Sequence, residues 1–243
     1  MNENLIRQEK LNNFEAHYHS LRLAENRIYS NAEIVKLPEI SQDHPHYKEW
    51  LIRKKSSERF INFLKRKKRD LNILEAGCGN GWLAAKISQL ENVKVTGIDI
   101  NRKELMQAVT AFEKKDNLHF AYSDVSDSGS SATSYDIILF ASSLQYFSSV
   151  NNIMDAALEL LKPDGEIHII DTFFYKKKNI YDASIRTQEY YAGIGFKEMK
   201  DFYFHHSLKE LQSFNYKIIY SPTSIINRFK KKNYPFHWIM IKK

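Results

Sequence analysis

Apolar positions along this chain switch repeatedly between a spacing near 3.6 and a spacing near two, the mark of helices alternating with strands. Residues 1 to about 40 read as helical, with Leu5, Leu11, Phe14, Tyr18, Leu21 and Leu23 on one broad face, up to a break bracketed by Pro38 and Pro45. Tyr47, Trp50, Leu51, Phe60, Ile61 and Leu64 then predict a second helix. Beyond it the order becomes strand, helix, strand. Leu71, Ile73 and Leu74 form a short buried strand, Leu83, Ile87 and Leu90 a helix, and residues 92–100 a second strand. Leu105, Ala108, Val109 and Phe112 make a helical stripe expected to pack on a sheet, and 118–121 is a third strand. The run 136–141 is almost wholly apolar, as suits a central strand covered on both faces. Ile153, Met154, Ala157, Leu158 and Leu161 predict a helix closed by a turn at 162–165, followed by a strand at 166–171. The chain ends with a helix at 208–214 and strands at 216–220 and 236–241.

Between the first strand and its helix stands Glu75-Ala-Gly77-Cys78-Gly79-Asn80-Gly81. Glycines there let the backbone turn tightly and approach a ligand, and the following helix presents unpaired N–H groups. The spacing is Gly-x-Gly-x-Gly, so it is neither the Gly-x-Gly-x-x-Gly of dinucleotide sites nor a phosphate loop, which would need Gly-Lys-Ser/Thr. The second strand ends in Asp99, where a carboxylate can accept from both hydroxyls of a ribose. Asn101 and Glu104 already supply a start signal for the next helix, so Asp99 is not needed as its cap.

Glu75 and the three glycines resemble motif I of the class I S-adenosylmethionine-dependent methyltransferases, acidic-x-Gly-x-Gly-x-Gly. The resemblance covers residues ~47–243 and implies an α/β, Rossmann-like, doubly wound seven-stranded sheet. It should be mostly parallel with an antiparallel C-terminal strand, carry residues 1–46 as a helical extension, and use 172–207 as a substrate-covering insert, whose crowded aromatics could equally be the core of a helical insert. The implied cofactor is S-adenosyl-L-methionine. The positions it assigns to cofactor binding are Glu75, Gly77, Cys78, Gly79, Asn80, Gly81, Asp99, Ile100, Asp124, Val125 and Ala141. Asp124 and Val125 match the place where the adenine amine and ring are met, and Ala141 ends the motif IV strand. Residues 142–146 (Ser-Ser-Leu-Gln-Tyr) lack the Asn/Asp-Pro-Pro-Tyr/Phe element of enzymes that methylate exocyclic base amines. Gln145 stands where many small-molecule members have histidine, which leaves no base assigned there. Tyr146, Asp171 and His205 are candidates for assisting acceptor deprotonation. Arg53 is either an exposed helix arginine or a partner for the methionine carboxylate. The acceptor atom, whether O, N, C or S, stays open.

Composition narrows the alternatives. With 243 residues, 43% of them hydrophobic, the chain can bury one full core. No apolar run is long enough to span a bilayer and the first ten residues lack a signal peptide's hydrophobic region, so the expected location is the cytoplasm, without membrane. The single cysteine, Cys78, excludes an internal disulfide and reads as a small loop residue. His17/His19, His44/His46 and His205/His206 have no carboxylate or cysteine at a zinc spacing, so no metal is expected. A net charge of +7 raises nucleic acid as a partner, but the densest cluster, Lys65 to Arg69, ends a helix, where cations complement the dipole. A small-molecule acceptor is therefore favoured over RNA or protein, and a non-catalytic nucleotide-binding module is the remaining alternative.

Overall fold

The structure is a computed structural model that describes residues 3–112, 115–126, 134–224, 227 and 234–243, with backbone alone for 3–12. Strands β1 (Leu71–Ala76), β2 (Val93–Asp99), β3 (Leu118–Tyr122), β4 (Tyr135–Ala141), β5 (Leu161–Ile170), β6 (Tyr216–Tyr220) and β7 (Trp238–Lys242) form one seven-stranded sheet in the order β3-β2-β1-β4-β5-β7-β6. β1 to β5 pair in parallel, while β7 runs antiparallel to both β5 and β6. The chain reverses its direction across the sheet between β1 and β4, so the carboxyl ends of these two neighbours open a crevice.

Side-chain alternation divides the core between the two faces. Leu71, Ile73, Val95, Ile137 and Leu139 pack on one face with α3 (Tyr47–Lys65) and α4 (Trp82–Ile87). Leu74, Ala76, Ile98, Ile138 and Phe140 pack on the other with α6 (Val150–Leu160). Phe60 of α3 is fully buried, with its ring 6.3 Å from Phe63, 5.3 Å from His168 and 6.1 Å from Trp238.

The amino-terminal segment is α1 (Glu3–Ala24) followed by the single turn α2 (Asn31–Ile34), capped by a Ser30/Glu33 capping box. It is tied to the core through Tyr29, whose hydroxyl accepts from Trp50 Nε1 at 2.7 Å, and Trp50 meets Trp82 edge-on. Phe14 and Leu21 are buried, but Leu23 is exposed, so the apolar stripe of α1 is narrower than the spacing suggests. The side chains of Leu5 and Leu11, and the Ser/Gly-containing run 127–133, lie outside the described residues.

Three elements depart from the sequence pattern. Val109 on α5 (Arg102–Ala111) is exposed, while Leu105 and Ala108 of that stripe are buried and Phe112 packs half-buried against the core. Residues 162–165 do not end a helix: β5 begins at Leu161, opposite Tyr135, and resumes at Glu166, opposite Ile137, so the expected turn is looped out of a continuing strand. Pro163, which lacks an N–H, sits in that unpaired stretch. The expected helix at 208–214 is the short 3-10 turn Leu208–Leu211. Within 172–207 the insert is helical: α7 (Ile180–Gly193) is a regular helix, and the 3-10 segment Lys197–Phe202 packs on it and on α1.

The basic cluster lies at the amino ends of the strands. Arg69 and Lys162 both pair with the buried Asp136, at 2.5 and 2.7 Å, and Lys67 pairs with Glu166 at 2.7 Å. Asp136 also accepts from Asn72 N–H, so these cations and the opposing carboxylates fix the bottom of the sheet.

The attachment of α3 to the sheet is testable. Phe60→Ala should cost about 3–5 kcal/mol in urea unfolding, because the ring fills a site with no route for collapse.

Candidate functional site

β1 ends in Glu75 and Ala76, after which the chain turns over Ile98: the N–H groups of Gly77 and Cys78 both donate to the Ile98 carbonyl, at 2.9 and 3.0 Å. Gly79 follows with φ +53°, and a Cβ there would stand 2.9 Å from a Glu104 carboxylate oxygen. Its N–H donates to Asp99 Oδ2 at 2.7 Å, while Asn101 N–H donates to Asp99 Oδ1 at 2.8 Å. Asp99 is thus aimed by the backbone of the glycine turn and of the turn into α5. Each oxygen keeps further acceptor capacity.

This loop, the end of β2, the start of the turn after β3 and the segment after β4 surround a cavity of about 430 Å³. Of the residues expected to bind the cofactor, Gly77, Gly79, Asp99, Ile100, Asp124 and Val125 line it. A polar recess of about 80 Å³ adjoins it, and Glu75, Cys78, Asn80 and Ala141 face that recess. Gly77, Gly79, Glu104, Ser142 and Tyr146 border both. Gly81 lines neither among the described residues. It precedes α4 with φ +73°, and a Cβ would lie 2.5 Å from the Phe120 ring and 2.9 Å from Ala108, so its lack of a side chain serves packing. Cys78 is buried with Sγ against Gly97, and burial pushes its thiol up, away from reactivity.

The far wall is backbone under strain. Ser142 and Asp171, directly after β4 and β5, have φ values of +57° and +58°, which non-glycine residues adopt at a cost. Arg53 is held in the recess by Glu49, with Nε and Nη2 both near Oε1 at 3.0 and 2.9 Å, and donates to Ser142 Oγ at 3.1 Å. Burial opposes the Glu49 charge, yet Arg53 and Arg27 hold its carboxyl down at about 2. Arg53 is therefore no exposed helix arginine.

The three candidates for proton handling part company. Tyr146 lines cavity and recess, with its phenol pushed up chiefly by burial. Asp171 borders the recess but accepts from Ser56 Oγ at 2.8 Å and from the Tyr234 hydroxyl. His205 pairs with Thr187 at 2.9 Å and lies outside the residues lining either space. Gln145 is likewise committed: Nε2 donates to Ser142 O, Oε1 accepts from Thr172, and its carbonyl accepts from Phe204 N–H.

Several lining residues were not singled out from sequence as site residues. α1 contributes Phe14, Tyr18 and Arg22, and the segment after β5 contributes Phe202 and Phe204. Phe14 meets Phe202 at 5.5 Å and Tyr146 at 5.7 Å, closing an aromatic cover. The stripe Phe14, Tyr18, Leu21 was visible in the sequence; what it faces was not. Glu104 was read as a capping residue. Its N–H does donate to Asn101 Oδ1, but Asp99 has taken the Asn101 N–H, so the Glu104 carboxylate turns into the site.

Acidity is the site's electrostatic character. Glu75 is 3% exposed; burial pushes its carboxyl up to about 8, the Ala84 N–H pulls it down and the charge of Asp99 adds to the rise. Its Oε2 has no partner. Burial also raises Asp99 against the pull of its backbone donors, and pushes Glu104 up to about 7 despite Arg22. Among the described residues, no three His, Cys, Asp or Glu gather as a metal-holding group, and no helix is long and apolar enough to cross a membrane.

Residues 73–165 match the family model described as "Methyltransferase domain". The 27-O-demethylrifamycin SV methyltransferase of Amycolatopsis mediterranei (strain S699) is 28% identical over 102 residues, 41% of this chain and 38% of that protein. The ubiquinone biosynthesis O-methyltransferase of Salmonella paratyphi A (strain ATCC 9150 / SARB42) is 29% identical over 97 residues, 39% of this chain and 40% of that protein. The matches thus span about two fifths of these curated relatives. The plantazolicin methyltransferase BpumL, solved with a triazolic desmethylPZN analog and SAH, shares the fold: TM-score 0.56 over 97% of this chain and 99% of that one, at 19% identity.

The buried proton on Glu75 has a measurable consequence. Folding keeps a proton that the unfolded chain releases near 4.5, so the ligand-free protein should lose stability as pH rises from that value through about 8. Glu75→Gln should therefore raise the thermal midpoint more at pH 8.5 than at pH 5, as followed by circular dichroism.

Proposed function

We propose that this chain, a member of the class I S-adenosylmethionine-dependent methyltransferase family, binds S-adenosyl-L-methionine in the cavity at the glycine turn and methylates a small-molecule acceptor. The observation that carries the reading is the union of Gly77, Gly79 and Asp99 on one cavity, beside a recess in which the buried Glu75 Oε2 lacks a partner. An unpaired buried carboxylate is costly unless a ligand cation or hydrogen-bond donor meets it. The donor fits this setting, since it carries a ribose diol, an ammonium and a sulfonium.

In this reading Asp99 holds the ribose hydroxyls with its remaining acceptor capacity, and Ile100, Asp124 and Val125 enclose the adenine. Glu75, Cys78, Asn80 and Ala141 border the amino-acid end. When bound, the donor supplies a methyl carbon on cationic sulfur, which a nucleophile takes as the carbon–sulfur bond breaks and its electron pair stays on sulfur. The chain's own part is alignment and exclusion of water. Gln145 and Asp171 are tied into the fold, and the Tyr146 phenol is pushed up by burial, so none of them stands ready as a base near neutral pH. Tyr146 and the cover of Phe14, Phe202 and Phe204 orient the acceptor.

Two observations support a small molecule over a polymer. The relatives named for rifamycin and ubiquinone modify small molecules, and the opening is roofed by α1 and by the segment carrying Phe202. The densest basic cluster, which would have spoken for nucleic acid, has Lys67 and Arg69 engaged with Glu166 and Asp136 at the opposite ends of the strands.

Calorimetry tests the reading. S-adenosylhomocysteine should bind and NAD should not; the reverse preference would sink it. Asp99→Ala should weaken S-adenosylhomocysteine by roughly ten- to a hundred-fold. The loss should shrink for the 2′-deoxy ligand, where one partner is already missing.

A further inference from the structure

The larger cavity and the recess beside it differ in the charges that the fold gives them. Arg22, loosely paired with Glu25 at 4.0 Å, and Arg53 border the recess. No arginine, lysine or histidine lines the larger cavity among the described residues, and its carboxyl groups are those of Asp99, Glu104 and Asp124. An anion moved from water into this space would find no cationic side chain there and would add its charge to that of the carboxylates. The cover of the cavity is aromatic: Phe14, Tyr18, Tyr146, Phe202 and Phe204 all line it. Phe14 lies 5.5 Å from Phe202 at 59° and 5.7 Å from Tyr146 at 60°, and Tyr18 meets Tyr146 at 5.4 Å, nearly perpendicular at 89°. Phe14 and Tyr18, 5.3 Å apart and 29° from parallel, stack on each other. A flat acceptor ring is best held between parallel faces. Rings set at these angles make a faceted corner instead, which suits a rounded head, and a cationic head gains most from the aromatic faces.

Resting on the cofactor reading above, we propose that the methyl acceptor is an amine, whose nitrogen and its substituents are received by the aromatic corner of Phe14, Tyr146, Phe202 and Phe204. The charge balance of the reaction favours the same class. The amine enters neutral, having lost a proton to water; its lone pair forms the new N–C bond as the C–S bond breaks and that electron pair stays on sulfur. Positive charge thus passes from sulfur to nitrogen, where aromatic faces stabilise it, and water takes any proton the nitrogen then sheds. A carboxylate or phenolate acceptor would arrive as an anion, and no cation of the described lining would attract it. An alcohol holds its proton near neutral pH and would need a base at the site, whereas Gln145 and Asp171 are tied into the fold. An amine releases its proton to water before it enters, so its methylation asks for no such group.

The test uses the full chain loaded with S-adenosylhomocysteine and three probes of one shape. Choline is a quaternary ammonium that accepts no methyl, 3,3-dimethylbutan-1-ol is its neutral isostere, and 3,3-dimethylbutanoate is an anion. By calorimetry choline should bind at least about fivefold tighter than the alcohol, with the carboxylate weakest. Phe202→Leu keeps apolar bulk but removes an aromatic face; it should weaken choline by roughly three- to tenfold and leave the alcohol within about twofold. Tyr146→Phe, which keeps the face and removes the hydroxyl, should retain the preference for choline. With S-adenosyl-L-methionine as donor, benzylamine should yield N-methylbenzylamine. Tighter binding of the alcohol or the carboxylate, binding of none of the probes, or equal losses for choline and the alcohol in Phe202→Leu would each overturn the proposal. Methyl benzoate formed from benzoate in place of the amine product would do the same. A chain that does not take up S-adenosylhomocysteine at the outset refutes the cofactor reading instead, a failure distinct from these.

Discussion

The site depends on one electrostatic constraint: Glu75, Asp99 and Glu104 are drawn together at a tight turn where water is scarce and Arg22 is the nearest loosely held countercharge. Carboxylates so placed raise one another's affinity for protons, and each would be more stable apart. They stay because the backbone leaves no alternative. Glu75 is the last but one residue of a central strand, Asp99 is pinned by two N–H donors, and Glu104 is carried in on the first turn of α5. The fold spends stability to keep these three carboxyl groups together at the turn.

Everything else holds that corner steady. β1 and β4 lie side by side and each is covered on both faces, so the loops leaving their carboxyl ends cannot shift independently. The strained Ser142 and Asp171 are kept in place from outside: Ser142 N–H donates to Ile170 O, and Asp171 is gripped by Ser56 and Tyr234. Strain persists at such positions when the surroundings over-determine them.

What was legible in the sequence was local. The glycine turn announces itself because φ near +53° or +73° selects glycine, and β4 because a doubly covered strand admits almost no polar residue. Asp99 was legible for the same reason, being set by its place at a strand end. The contributions of Phe14, Tyr18, Arg22, Phe202 and Phe204 were not, since they depend on how α1 and the segment after β5 pack across the crevice, and no short-range period encodes that. Glu104 misled in an instructive way: the pair Asn101/Glu104 reads as a capping box, but a second acceptor, Asp99, had claimed the N–H that would have closed it. At Gly81 the structure adds a reason that motif membership does not carry, the close approach of the Phe120 ring.

The opposed placement of charge changes what the chain's overall +7 means for encounter with a ligand. Lys67, Arg69 and Lys162 sit at the amino ends of the strands and the acidic corner at the carboxyl ends, a full strand length away. At physiological salt the screening length is about 8 Å, shorter than a strand of six or seven residues at about 3.3 Å each. A ligand entering the crevice is therefore screened from the distant basic end, and the overall charge of the chain does not set the potential it meets there.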